Sequence, residues 1–310
     1  MNEMRILSPS GILGYGFPLE TFNEGMKRKP HVIAIDAGST DPGPYYLGSG
    51  VSFTEKIAVK RDLEVILTAA MENEIPLIIG SAGGAGGQAH LDWTVEIIKE
   101  IAKEKVFKFE MALIYSDVEK AKVLESLKQG RIISFHPKFE LTEDEVEAST
   151  GIVAQMGPEP IISAIKTGAK VIVAGRAYDP AVFAAFAIAS GYDSGLAIHL
   201  GKILECGCLA AEPGSASDCL IGYLRDDHFV VEAGEPNMVQ ILSKIFEYIA
   251  QNSELCHVLL GNNGDINFQT NIMKIVSERV VFEWQKKKKV DESTAEYIYT
   301  YVATGSIGVI

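Results

Sequence analysis

Short apolar runs and amphipathic stretches alternate along the first 190 residues, and this alternation limits the fold more than any other feature. The runs predict strands within residues 4–11, 31–40, 76–80, 111–117, 151–157 and 170–177. Between them, apolar residues recur three or four apart, as over residues 59–71, which predicts helices with one buried face. Continuously apolar strands are typical of a parallel sheet covered on both faces. Residues 1–194 are therefore expected to form an α/β domain with a doubly wound, mainly parallel, Rossmann-like sheet.

The pattern changes from residue 195 onward. Residues 194–207 favour a helix, residues 218–233 favour a β-hairpin that turns at Asp226 and Asp227, and residues 237–251 favour an amphipathic helix. We expect residues 195–310 to form a smaller α+β region.

Composition excludes several classes of protein. The formal net charge of −13 argues against a nucleic-acid-binding protein, because such proteins need basic surfaces. No apolar run reaches the roughly 18 residues of a membrane span, so no membrane association is expected. The four cysteines are too few and too clustered for a disulfide framework, which indicates reduced thiols and a cytoplasmic location. Cys206 and Cys208 lack a second cysteine pair, so a zinc site is not expected.

Polar residues follow the predicted strands. Open parallel sheets bind ligands at the carboxyl ends of their strands, so these residues are expected to share one crevice. Arg176 would hold a carboxylate or phosphate, or alternatively pair with an aspartate such as Asp179, which is itself expected to cap a helix. The other ligand-binding candidates outside the glycine-rich loop are Ser39, Thr40, Asp41, Ser81 and Gln155.

A glycine-rich loop follows the third predicted strand, with Gly83, Gly84, Gly86 and Gly87. Its backbone amides, together with the start of the next helix, could bind an anion; the alternative is a tight turn. The segment 84–89 matches G-x-G-x-x-A, but it begins too late after the strand. In addition, no acidic residue follows the next predicted strand at a distance of about 20 positions, since Asp117 is more than 30 positions away. A nicotinamide dinucleotide is therefore not expected.

Four residues are candidates for the chemistry. Asp36 and Asp117 could move a proton, or they could join Asp41 in holding a divalent metal ion. His199 and Cys206 are seven residues apart on one helix, so they share a face and could form an acid–base or nucleophile pair. The alternative for both is a place in the core.

Several long segments resemble the acyclic terpene utilisation family of AtuA-like proteins. The resemblance covers about residues 4–232 and fades after Ala233. It is carried by LSPSGILGYGFP, IDAGSTDPGPYYLGSG, IIGSAGGAGG, AQMGPEP, AGRAYDPAVFAA, HLGKILECG and SDCLIGYLRDDHF. It implies a bacterial cytoplasmic protein encoded with enzymes that degrade acyclic terpenols or other branched acids as CoA thioesters. It also implies a chain shortened at its carboxyl end. It supplies no assigned catalytic residues.

The preferred interpretation is an enzyme, or an enzyme subunit, with lyase or hydratase chemistry on a small carboxylate or its CoA thioester. One alternative is a non-catalytic ligand-binding or scaffold subunit, and another is a metal-assisted hydrolase that uses the strand-end aspartates. The expected ligand is a small anionic molecule. The sequence does not identify a cofactor; the candidates are a divalent metal ion and the CoA moiety of the substrate. The candidate protein partners are another subunit or a second copy of the chain.

Overall fold

A computed structural model describes residues 3–133, 140–212, 218–234 and 239–240. These residues fall within one compact unit, Met1–Ile241. The strands are β1 Met4–Ser8, β2 Val32–Asp36, β3 Leu77–Gly80, β4 Met111–Ile114, β5 Val171–Ala174, β6 Ala211–Glu212, β7 Leu220–Leu224, β8 Phe229–Ala233 and β9 Val239–Gln240. The helices are α1 Leu19–Lys27, α2 Tyr45–Ser49, α3 Lys56–Glu72, α4 Gln88–Lys105, α5 Lys120–Lys128, α6 Glu143–Ala148, α7 Pro158–Ile165, α8 Asp179–Ala189 and α9 Ser194–Glu205.

Seven strands form one sheet in the order β4-β5-β3-β2-β1-β7-β8. The neighbours from β4 to β1 run parallel, whereas β7 pairs antiparallel with both β1 and β8. The α/β class is confirmed, but the sheet is mixed rather than mainly parallel. The difference arises from the hairpin at residues 218–233, which forms as predicted and then joins the edge of the large sheet through β1.

The predicted strand over residues 151–157 is wrong. This segment makes only isolated bridges, between Asp117 and Val153 and between Met156 and Ala177. The reason is that β4 pairs directly with β5, from Met111 and Val171 to Ile114 and Ala174, which leaves no position between them for another strand. The backbone of the segment instead lies beside the residues that follow β4, where the Ala154 amide donates to the Ser116 carbonyl at 2.8 Å and the Val118 amide to the Ile152 carbonyl at 2.9 Å.

Helices lie against both faces of the sheet. Alternate residues of the central strands, such as Ile33, Ile35 and Ile79, form one hydrophobic core with α3 and α4. The opposite face packs against α8, which contacts β1, β2 and β3, and against α9, which contacts β7 and β8. Helix α8 is apolar nearly all round and almost entirely buried, as predicted, because it lies between the sheet, α7 and α9.

Helix starts follow the local sequence in one case and depart from it in another. Thr142 and Glu145 form the predicted capping box at α6, with Thr142 accepting from the Glu145 amide. At α8 the N-cap is Tyr178 and Asp179 is the first helical residue, so Asp179 is not the predicted cap.

The predicted helix over residues 237–251 lies largely beyond the described residues. Residues 239–240, within the predicted helix over 237–251, form β9, and the remainder of that helix lies outside the described ranges. Among the helices that the structure describes, none has the length and apolar character to cross a membrane. The proposed division of the chain at residue 195 stays a prediction.

Candidate functional site

The carboxyl ends of the parallel strands lie at one edge of the sheet. Asp36 at the end of β2 is paired with Gly80 at the end of β3, and Ile114 of β4 is paired with Ala174 of β5. The polar residues at this edge, which follow the strands or lie at the end of α9, fall into two sets. We call the first the buried group: Asp36, Ser81, Arg176, Asp179, Lys202, Glu205 and Cys206. We call the second the outer group: Ser39, Thr40, Asp41, Asp117 and Gln155.

Asp36 is the centre of the buried group and is 1% exposed. Burial raises the pKa of its carboxyl to about 8, because a charge in a low dielectric lacks solvation, and the negative charge of Asp179 acts in the same direction. The positive charge of Arg176 and the Ser81 hydroxyl oppose the shift. Oδ1 accepts a hydrogen bond from the Gly38 amide at 3.3 Å, whereas Oδ2 is buried without a partner.

Arg176 is 5% exposed and is held mostly by its own segment. Its Nε and Nη2 donate to the Ala177 carbonyl at 3.1 and 2.8 Å, and Nη2 also donates to Asp179 Oδ1 at 2.6 Å. The ion pair with Asp179 that the sequence left open as an alternative is therefore present. Nη1 is buried and has no partner. One nitrogen of the guanidinium thus remains for a ligand.

The end of α9, on the same face of the sheet as α8, supplies the other members of the buried group. Lys202 pairs with Glu205 at 2.8 Å, and the Cys206 thiol donates to the same carboxylate at 3.4 Å. Burial raises the pKa of Glu205, which Lys202 partly offsets. Burial, reinforced by Glu205, also raises the pKa of Cys206 to about 12. This thiol is held in its neutral form, which is the opposite of an activated nucleophile.

His199 lies two turns before Cys206 on α9, and its ring packs edge-on against Phe229 of β8 with 5.1 Å between centroids. Desolvation there lowers the pKa of His199. None of the charges that act on Cys206 comes from His199. The His199 ring therefore packs against β8, whereas the Cys206 thiol contacts Glu205.

The glycine-rich loop packs closely against the backbone at Arg176. Gly86 has a φ of +73°, and a β-carbon there would overlap the backbone nitrogen of Arg176. Its carbonyl accepts hydrogen bonds from the Ser116 hydroxyl at 2.7 Å and from the Arg176 amide at 3.2 Å. The amides of Gly84 and Gly86 donate to the Ser81 and Ala82 carbonyls. These two glycines therefore hold the loop shape, and their amides are used inside the loop.

The outer group is solvated. Thr40, Asp41, Asp117 and Gln155 are exposed, and Ser39 is half-buried with its hydroxyl accepting from the Asp41 amide at 3.2 Å. Asp36 is buried while Asp41 and Asp117 face water, and within the described residues no three His, Cys, Asp or Glu side chains are grouped to hold a metal ion. Asp117 of the outer group lies near His90, because a β-carbon on Gly87 would approach both side chains, at 3.7 Å from Asp117 Oδ1 and 3.3 Å from His90 Nδ1. His90 Nδ1 is buried without a partner.

Three of the four buried side-chain polar atoms that lack a partner in the described ranges lie at this sheet edge: Asp36 Oδ2, Arg176 Nη1 and His90 Nδ1. Buried polar atoms are nearly always hydrogen-bonded, so such a cluster indicates a site that a ligand completes.

Sequence reasoning did not select His90, Asp179, Lys202 or Glu205 as site residues. His90 and Asp179 come soon after strands β3 and β5, so their position after a strand could have identified them. Lys202 and Glu205 had no comparable signal, because only the folded path of α9 brings them to Asp36.

The model of the family described as "Acyclic terpene utilisation family protein AtuA" matches residues 53–218, which is more than half of the chain. A second model, described as "Transcriptional regulator C-terminal region", matches residues 237–310, close to where the AtuA-like resemblance fades. Comparison with curated proteins gave no match, and neither did comparison with solved structures. The matched span includes α3 to α9, and with them Ser81, Arg176 and Glu205 of the buried group.

Proposed function

Because the chain belongs to the acyclic terpene utilisation family, we propose that it is an enzyme, or an enzyme subunit, in the catabolism of acyclic terpene-derived or other branched carboxylic acids. Its substrate is the free acid or its CoA thioester. The chemistry is of the lyase or hydratase type, in which a proton is moved at the carbon next to the carbonyl group. A partner subunit or a second copy of the chain, and the cytoplasmic location, remain predictions.

The observation that carries this proposal is the state of Asp36. A general acid–base group works best when its pKa lies near the working pH, because it then gives and accepts a proton with similar ease. An ordinary aspartate is fully ionised at neutral pH and is a weak base. Asp36, with a pKa of about 8 and a free Oδ2, is suited to the role.

Arg176 is the proposed anchor for the carboxylate or thioester oxygen of the substrate. Nε and Nη2 are occupied by Ala177 and Asp179, so the contact uses Nη1 alone. A hydrogen bond to a charged group contributes on the order of 1.5–3 kcal/mol. The positive charge would also stabilise negative charge that develops on the substrate oxygen when a proton leaves the adjacent carbon.

The remaining members of the buried group act on Asp36 rather than on the substrate in this proposal. Asp179 and Glu205 are negative neighbours that raise the pKa of Asp36, and Lys202 compensates part of their charge. Cys206 is not assigned a nucleophilic role, because its thiol is neutral at physiological pH. His199 and the metal-assisted alternative gain no support from the geometry.

The experiment is an exchange assay, which detects proton transfer without knowledge of the complete reaction. The purified chain is incubated in D2O with CoA thioesters of methyl-branched acyclic acids, and loss of the signal from the hydrogens next to the carbonyl is followed by NMR. We expect exchange with the wild type and a loss of about 100-fold or more in Asp36→Asn, the usual size for a general base.

The matched control is Asp226→Asn, in the exposed turn between β7 and β8, which should exchange at the wild-type rate. Full exchange by Asp36→Asn would remove the proposed base. Absence of exchange by the wild type with thioesters and free acids alike would contradict the enzymatic proposal.

A further inference from the structure

Helix α4 begins with no side chain that caps its first backbone amides, and the His90 amide donates to the Gly87 carbonyl at 3.0 Å. It spans 18 residues, its N-cap Gly87 provides no side-chain hydrogen bond, and its first turn contains no acidic residue. The first amides of a helix lack intrahelical partners and lie at the positive end of its dipole. This is compatible with an anion site, but helix ends are often only hydrated, so a second observation is needed.

The second observation is His90, the third residue of α4, which is 1% exposed. Its Nε2 lies 3.0 Å from the carbonyl oxygens of both Tyr46 and Val51. Because a carbonyl oxygen only accepts hydrogen bonds, Nε2 must carry the hydrogen, and a neutral ring then has a lone pair on Nδ1. Nδ1 is buried and has no partner. The ring is thus held in one tautomer with its accepting nitrogen unused.

Because Gly87 has no side chain, it leaves space beside His90 Nδ1. Its φ of −71° and ψ of 167° are open to any residue, so glycine is not required for the backbone conformation. A β-carbon at this position would lie 3.3 Å from His90 Nδ1, 3.7 Å from Asp117 Oδ1 and 3.0 Å from Leu47 Cδ1. We call the space bounded by these three side chains and Gly87 the Gly87 notch. Hydrogen-bond donors of the helix and acceptors from His90 and Asp117 meet there.

We propose that the Gly87 notch binds a phosphate group that keeps a proton. The phosphate oxygens accept from the amides of the first two residues of α4, and the P–OH hydrogen is shared with His90 Nδ1. The notch thus favours phosphate over sulfate, which has the same shape but no hydrogen to share at neutral pH. Asp117 is exposed, so its carboxylate can turn toward water or accept a second P–OH hydrogen.

This site is separate from the acid–base role of Asp36 and does not depend on it. The phosphate has two chemical sources, free inorganic phosphate or the phosphate monoester of a nucleotide such as CoA. Both present the same group to the notch, and a comparison of CoA with dephospho-CoA, which lacks the monoester, distinguishes them.

The test is calorimetric titration of the full chain with inorganic phosphate and with sulfate. Two variants separate the ligand from the fold. His90→Gln places an amide N–H near the position of Nε2 and can keep the contacts with Tyr46 and Val51, but it removes Nδ1. Gly87→Ser fills the notch, while serine is a favoured N-cap residue and should preserve or strengthen α4.

We expect saturable phosphate binding by the wild type, binding at least about tenfold weaker for sulfate, a loss of at least about tenfold in His90→Gln, and no detectable binding in Gly87→Ser. A tenfold loss corresponds to about 1.4 kcal/mol, close to the lower end of the range for one hydrogen bond to a charged group. Thermal unfolding of each variant checks the fold, and Gly87→Ala replaces Gly87→Ser if the latter does not fold.

Absence of phosphate binding by the wild type would overturn the proposal. Equal binding of phosphate and sulfate, or unchanged phosphate affinity in His90→Gln, would overturn it too, because Nδ1 would then have no part in recognition. If CoA binds more tightly than dephospho-CoA and Gly87→Ser removes the difference, the nucleotide monoester is the source. Equal binding of the two nucleotides by a phosphate-binding wild type indicates inorganic phosphate.

Discussion

The buried group and the outer group both follow parallel strands at the same sheet edge, and both contain aspartates, yet their surroundings differ completely. Asp36 lies under α8 and α9 beside Asp179, and its pKa is raised to about 8. Asp41 and Asp117 lie in loops and are exposed. Strand-end position therefore places a carboxyl at the edge, whereas the helices that cross one face decide whether it is desolvated.

The same comparison holds for glycines at positive φ in the two regions. Gly86 beside the buried group has no room for a β-carbon, while Gly43 in the loop of the outer group has a φ of +78° and nothing within 4 Å of that position. In the first case glycine is required by packing and conformation together, and in the second by conformation alone.

The largest expected effect is a loss of stability when alanine replaces a glycine, and it should differ between Gly86 and Gly43. Gly86→Ala should destabilise the fold by about 3 kcal/mol or more, because backbone strain adds to the overlap with Arg176. Gly43→Ala should cost only about 1 kcal/mol, from the positive φ. Urea unfolding of both variants measures the two costs. Similar costs would mean that the loop around Gly86 yields easily and is not closely packed.

A smaller effect is expected when Asp36→Asn and Asp117→Asn are compared as a function of pH. An unfolded aspartate ionises near pH 4, whereas native Asp36 keeps its proton until about pH 8. Between these values the native state binds more protons than the unfolded state, so Asp36 lowers wild-type stability as pH rises. Asparagine mimics the protonated carboxyl and carries no such penalty.

Asp36→Asn should therefore gain stability relative to the wild type between pH 5 and pH 8, by at least about 1.4 kcal/mol, which is one pKa unit. Asp117→Asn, at an exposed carboxyl of the outer group, is measured alongside. Urea unfolding at both pH values gives these differences. A constant difference between Asp36→Asn and the wild type would contradict the assignment of Asp36 to the buried group.

Sequence reasoning succeeded where structure is decided locally. The apolar strands, the amphipathic helices α3 and α4, the capping box at Thr142 and the hairpin all follow from residue periodicity or turn chemistry. It failed for residues 151–157, whose apolar residues imitate a strand although the segment makes only isolated bridges. It also gave no indication that the hairpin would pair with β1, since that contact joins residues more than 200 positions apart.

For the candidate site, too, sequence reasoning succeeded only where positions are set locally. Asp36 and Arg176 could be selected because they directly follow strands, and the ion pair of Arg176 with Asp179 could be foreseen at a spacing of three residues. Lys202 and Glu205 reach the site only because α8 and α9 return across one face from β5 toward β7. Periodicity does not encode that return, and neither does it encode which strand-end carboxyl becomes buried.

The most direct test of the central claim is the titration of the Asp36 carboxyl itself. The chain is labelled with 13C at aspartate carboxyls, Asp36→Asn assigns the signal, and its chemical shift is followed from pH 4 to pH 9. The account predicts a midpoint near pH 8, because burial and Asp179 disfavour the charged form. A midpoint near pH 4, where an exposed aspartate titrates, would contradict it and leave the buried group without an acid–base residue.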